Sequence, residues 1–327
     1  METREKAVLR PLTLALLVAL ACLCTACAQA GTETQGASAE PAQVMAINGP
    51  TGIGMANLAD DDAYSVQFVS QPDQVVSAVS SGSVDIAAVP TNLASTLYNK
   101  TQGGVKVVAV DALGSLYVVE NGQPVANLAD LKGKTVYATG QGANPQYVLE
   151  YLLTQAGLVP GQDVTVTYVA DNAQLAAMVA NGEAPIAMLP EPFVSVAQGK
   201  NAGVQVALGI NDLWKQATGT DLALGCVVAR TDYLDEHPEA ADAFLTDLDG
   251  SIAKANDDVA ATAQLCADKG ILPNAAAAQE AIPRCGLVCL TGDDMEAPVS
   301  GFLGVLAQSN PTAVGGAVPG DGLYYKG

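Results

Sequence analysis

The sequence is short of basic residues, of histidine and of aromatic side chains, and each shortage removes a class of function. Its 327 residues carry 14 Lys and Arg against 34 Asp and Glu, a formal net charge of −20. Nucleic acid and anionic lipid are poor partners for such a chain, because both require a basic surface. A single histidine, His237, leaves nothing for Ser/His/Asp chemistry, and no lysine sits in a nucleophile-activating pattern. Catalysis is therefore set aside. The same shortage, with only a loose Cys285-x-x-x-Cys289 spacing, argues against zinc or any other metal. Glycine-rich turns are present, but none has the spacing and trailing Lys-Ser/Thr of a Walker loop, so no nucleotide cofactor is expected. Beyond residue 23 no apolar run is long enough to span a bilayer.

The first thirty residues are a secretion signal in outline. Arg4, Lys6 and Arg10 precede an uncharged run over 11–23 rich in Leu, Ala and Val, shorter than the ~20 residues of a spanning helix. Thr25-Ala26-Cys27 resembles the end of a bacterial lipobox, with Cys24 standing where Leu is usual, and makes Cys27 the expected lipidation site. The expected organisation is a signal over 1–27 and a tether over 28–40, which has no large apolar residue. Without residues 1–27, 11 basic residues face 32 acidic ones. Four cysteines remain, Cys226, Cys266, Cys285 and Cys289; outside the cell an even number suggests disulfides, with three pairings open, and buried free thiols are the alternative.

From residue 44 onward strand and helix signals alternate, which implies an α/β architecture. Strands are expected over 44–47, 64–69, 84–89 and 105–110, with helices over 53–59, 72–80 and 91–99. A second run repeats the scheme with strands over 135–138, 164–169 and 186–189 and helices over 146–156 and 173–180. The offset is one hundred. Gln74, Val79, Gly82, Ile86, Ala87 and Pro90 match Gln174, Val179, Gly182, Ile186, Ala187 and Pro190. Ligands of open α/β sheets collect beyond the carboxyl ends of strands, so the turns at 49–55, 90–93, 139–146 and 190–193 are expected to face one cleft.

These segments carry a resemblance. Gly-Pro-Thr-Gly-Ile-Gly-Met at 49–55, Gly-Ser-Val-Asp-Ile-Ala at 82–87, Leu-Lys-Gly-Lys-Thr-Val-Tyr at 131–137, Gly-Gln-Gly-Ala-Asn-Pro at 140–145 and Pro-Glu-Pro-Phe at 190–193 occur in that order. His237-Pro238-Glu239 then opens an amphipathic helix. Over about 40–327 the chain resembles the substrate-binding proteins of the nitrate, sulfonate and taurine group of ABC importers, whose wider family includes thiamine-pyrimidine binders. The resemblance implies a type II periplasmic-binding-protein fold, two α/β lobes joined by two crossovers, near 116–122 and 222–230. Lobe one would hold 41–120 and 223–327, lobe two 121–222, and the tail over 316–327 would pack back on lobe one. It also implies a monomeric receptor, lipid-anchored outside the cell, that hands a small molecule to a permease and its ATPase. A sensory lipoprotein with the same fold is the alternative.

Candidate ligand-binding residues follow from the four turns. Thr51, Gly52, Thr91 and Asn92 offer hydroxyls, an amide and close backbone approach, with helix capping as their plain alternative. Gln141, Gly142, Ala143 and Asn144 form a loop suited to a carbonyl or oxyanion. Glu191 would repel sulfonate or nitrate and favour an amine, amidine or ring N–H, unless it caps a helix. Phe193 supplies a flat wall, or core. After the signal only Arg230 and Arg284 remain, neither in these turns, so a guanidinium clamp on an anion is lacking there. The expectation is a nitrogen heterocycle, with sulfonate, nitrate or a similar anion as runner-up.

Overall fold

The computed structural model describes residues 40–327, so the expected lipidation site Cys27 and the tether up to residue 39 lie outside the described residues. Residues 41–327 form a unit of their own. Its first half begins with β1 (Ala42–Ile47), α1 (Pro50–Gly54), β2 (Tyr64–Val69), α2 (Pro72–Ser81), β3 (Ile86–Pro90), α3 (Thr91–Thr101) and β4 (Val105–Leu113). The chain then enters β5 (Leu116–Glu120), β6 (Thr135–Ala138), α4 (Asn144–Gln155), β7 (Thr165–Tyr168), α5 (Asn172–Asn181), β8 (Ile186–Pro190), α6 (Phe193–Lys200), β9 (Gln205–Gly209) and α7 (Ile210–Thr218). It returns through β10 (Ala223–Arg230), α8 (Thr231–Glu236), α9 (Pro238–Asp257), α10 (Val259–Asp268), α11 (Ala275–Ala281), β11 (Leu287–Leu290) and α12 (Asp293–Ser309).

Two sheets result, ordered β11-β4-β10-β3-β1-β2 and β7-β6-β8-β5-β9. In each, a central strand pairs parallel with two others, β1 with β2 and β3, β6 with β7 and β8, and an antiparallel strand closes the group, β10 on β3 and β5 on β8. The repeat is therefore a repeat of structure: α2 and β3 map onto α5 and β8 at the offset of one hundred. Pro72 opens α2 at its first turn, and the Asp171 carboxylate accepts from Gln174 N to open α5. Both helices end on a left-handed glycine, Gly82 at φ 74° and Gly182 at φ 80°, where any Cβ would be strained. Ile186 to Leu189 are all buried, because β8 lies between β6 and β5 and packs a core on each face, Ile186 and Met188 on one side and Ala187 and Leu189 on the other; burying each large side chain is worth roughly 1.5–3 kcal/mol.

One detail differs from the sequence reading. The first crossover is residues 114–115, earlier than 116–122, because 116–120 has the apolar pattern of a buried strand and pairs with β8 and β9. The return is residues 219–222. The four cysteines are free thiols, Cys226, Cys266 and Cys285 buried among apolar neighbours and Cys289 half-buried, which is the second of the two alternatives that the sequence left open. The tail does lie on the larger sheet: Tyr324 bridges Val107, and Tyr325 N donates to Val107 O at 2.9 Å. Among the described residues no helix is long and apolar enough to cross a membrane.

Candidate functional site between the two sheets

Both crossovers leave the larger sheet at the end where β1, β3 and β4 terminate, and the smaller sheet presents the ends of β6 and β8 towards it. Polar side chains meet across this seam. Asn144 Nδ2, at the start of α4, donates to Asn92 Oδ1, at the start of α3, at 2.8 Å. Asn310 Nδ2, just past α12, donates to Tyr147 Oη at 2.7 Å, and that hydroxyl donates to Gly142 O at 3.2 Å. Tyr117 Oη of β5 donates to Arg284 O at 2.8 Å, and burial, with Glu191 nearby, pushes the phenol up to about 12.

The densest contact is an ion pair. Arg284 Nε donates to Glu191 Oε1 at 2.5 Å, while Arg284 Nη2 donates to Ser195 Oγ at 2.8 Å and Gln198 Oε1 at 3.1 Å. Ser195 donates both its backbone N–H and its hydroxyl to Glu191 Oε2, at 3.2 and 2.9 Å. Burial pushes the Glu191 carboxyl above the ordinary range, and Arg284 and Ser195 pull it back. Glu191 thus also caps α6 from within. This corrects two expectations. A guanidinium does reach the seam, brought by the turn before β11, and the Glu191 charge expected to select a cation is already answered by Arg284.

The side of the seam beside the return crossover is apolar. Trp214 of α7 packs edge-on against Phe302 of α12, ring centroids 5.9 Å apart, and Gly301 lies so close to Thr220 of the return crossover that a Cβ would come within 2.9 Å of Thr220 Oγ1. At the opposite lip is a pocket of about 450 Å3. Asn48, Gly49 and the 270–273 turn line one wall, and Pro192, Phe193 and Val196 the other. Phe193 is half-buried there as an apolar wall.

The remaining candidates separate by environment. Thr51 is buried and its hydroxyl donates to Ile47 O at 2.9 Å, a contact that ties α1 to β1. A Cβ on Gly52 would lie 2.9 Å from Ile47 O and 3.2 Å from Ile271 Cγ2, so its missing side chain is used by packing. Thr91 is buried, and its Oγ1 has no hydrogen-bond partner among the described residues. Gln141, Gly142 and Ala143 are exposed, with Gly142 N held by Gln146 Oε1 at 2.7 Å. Of the candidates, Asn92 and Asn144 are the pair brought into direct contact across the seam.

Sequence reasoning missed Asn310 and the 270–273 turn, and gave no place in the cleft to Arg284, which meets Glu191 across 93 positions and left no local sign.

Comparisons with known proteins agree with this architecture. Residues 62–266 match the model of the NMT1-like family. A crystal structure from Parabacteroides distasonis, described as an ABC transporter, is 26% identical, covers 88% of this chain and 99% of its own, and has a TM-score of 0.76. The periplasmic aliphatic sulphonate binding protein SsuA of Escherichia coli is 19% identical over 85% of this chain and 91% of its own, with a TM-score of 0.68. The alkanesulfonate-binding protein SsuA of Xanthomonas axonopodis pv. citri, bound to MOPS, is 16% identical over 86% and 96%, with a TM-score of 0.60. A comparison with curated protein sequences gives no match. The fold is that of periplasmic binding proteins, and the chain belongs to the NMT1-like family of ABC-type solute-binding proteins.

Proposed function

We propose that this protein captures a small molecule between its two lobes and delivers it to an ABC permease and its ATPase, working as a monomer anchored outside the cell by lipid on Cys27. No chemistry is performed on the solute. The observation that carries the reading is the seam itself. Helix starts and strand ends of both lobes meet there through side-chain hydrogen bonds, Asn144 to Asn92 and Arg284 to Glu191, while apolar contact is concentrated beside the return crossover. Such a division suits hinge closure: the apolar side holds the lobes together, and polar groups at the strand ends exchange partners between lobe and solute. A solute touching both lobes favours the closed state by its differential affinity, and the closed form docks on the permease.

A thermal-melt screen with nitrogen heterocycles, amines, sulfonates and nitrate tests this. A saturating solute is expected to raise the melting temperature and to make the chain more compact in solution scattering. A solute that binds without compaction would contradict closure, and a screen in which nothing binds would contradict the receptor reading.

A further inference from the structure

We infer that the pocket at the lip of the seam receives an uncharged apolar ring of the solute, aromatic or alicyclic. The inference rests on the receptor reading above and names the ligand class of that site.

The pocket is open to solvent, and its two walls belong to different lobes. Phe193 and Val196, three positions apart on one face of α6, form the wall of lobe two, while Ile271, Leu272 and Pro273, between α10 and α11, form the wall of lobe one. Phe193 and Val196 rest on the core beneath them and keep part of their surface exposed. The space between the walls is unfilled by the chain. A Cβ added at Gly49 or Gly270, both in the lining, would meet nothing within 4 Å. The volume of about 450 Å3 exceeds the roughly 150 Å3 that holds a benzene molecule, so a ring with a short substituent fits.

The chemistry of the walls selects against charge. No residue lining the pocket is ionisable. Its one polar side chain is Asn48, whose Nδ2 already donates to Ser70 Oγ and Gly270 O, each at 3.3 Å. Glu191, directly before the wall residue Pro192, is answered by Arg284, so the neighbouring charges add to zero. An ammonium, guanidinium or sulfonate placed here would lose water without gaining a counter-charge, whereas a ring takes apolar surface of both lobes out of water at once. A ring held by both walls also favours the closed form over one in which the walls are apart.

The test is a saturation-transfer NMR titration of residues 41–327, a unit of their own that carries both walls and lacks the expected lipidation site, so that no detergent takes up the probes. One panel holds indole, 4-methylphenol and cyclohexanol, the other benzylamine, benzenesulfonate and nitrate. The uncharged rings are expected to bind at least about tenfold tighter than the charged ones. Val196→Phe, which fills the pocket from lobe two, and Pro273→Asp, which puts a charge on the wall of lobe one, are each expected to weaken the uncharged rings about tenfold. Neither position is fully buried, so both variants are expected to keep the parent's helix content. Uncharged rings that bind both variants as tightly as the parent, or charged rings that bind the parent as tightly as uncharged ones, would overturn the inference. Binding confined to benzylamine, benzenesulfonate or nitrate would overturn it and leave the receptor reading intact, and the absence of binding from both panels would take the receptor reading with it.

Discussion

The two halves of the repeat are built alike and finished differently where they face each other. Pro90 and Pro190 end equivalent strands, and the next residue is Thr91 in the first half and Glu191 in the second. In the second half the carboxylate is enclosed by Arg284, Ser195 and its own helix start, so every charge is answered. In the first half the buried carboxylate is Asp111 of β4, one strand beyond β10 in the sheet, and neither of its oxygens has a side-chain or backbone partner among the described residues. Equivalent scaffolds thus carry one answered carboxylate, Glu191, and one buried and unpaired, Asp111, packed beside Gly225. A sheet and its helices can be duplicated without duplicating the chemistry at their ends.

That contrast can be broken first at Arg284. Arg284→Met leaves Glu191 buried without its partner and should cost roughly 3–5 kcal/mol in a denaturant titration, and adding Glu191→Gln should restore most of it. A single substitution as harmless as the double would mean that the pair does not hold the seam.

Asp111 should behave in the opposite sense. Its folded carboxyl titrates near 7 against an ordinary 3.8, so the native state holds this proton more tightly than the unfolded chain does. The stability it contributes is fully present below about pH 4 and is lost as the pH rises to about 7, up to roughly 4 kcal/mol. Asp111→Asn should therefore match the parent at pH 4 and melt higher at pH 8. Identical pH profiles would show that Asp111 has a partner in solution.

Smaller effects sharpen the comparison of scaffolds. Gly182→Ala places a Cβ in left-handed backbone with open space around it and should cost about 1 kcal/mol. Gly82→Ala meets the same backbone strain and also brings its Cβ to 2.8 Å from Arg230 Nη1, which donates to Gly82 O, so its melting temperature should fall further. Smallest of all, Asn144→Ala should lose about 1 kcal/mol or less, Asn92→Ala somewhat more because it also removes the bond from Asn92 Nδ2 to Ala313 O at 3.2 Å, and the double variant no more than Asn92→Ala, since the bond between the two side chains is shared.

Much of the scaffold was legible because its signals are local. The glycines at 82 and 182 and the prolines at 90 and 190 punctuate helix and strand ends by backbone conformation alone, and a buried parallel strand such as 186–189 announces itself as an unbroken apolar run. The turns that follow those strands were placed by the same route. What those turns touch was not legible. Glu191 was read as a ligand-selecting charge or a helix cap; the cap is there, but Arg284 is remote in sequence and is carried to it by the turn before β11. The start of α1 was placed late, at 53 instead of Pro50, although proline at a first helical turn is itself a start signal. Compartment alone left the four cysteines open between disulfides and buried thiols, and apolar packing around Cys226, Cys266 and Cys285 decides their state.

The most direct test of the account is small-angle scattering of residues 41–327, comparing the parent with a variant carrying Glu191→Gln, Arg284→Met and Asn144→Ala. If lobes hinged at their apolar side are in an open–closed equilibrium that the polar seam biases towards the closed form, and a solute biases further, the variant will have a larger radius of gyration at unchanged helix content. Superimposable scattering curves would contradict the account, because the lobes would then be fixed by their apolar contact alone and could not close on a solute.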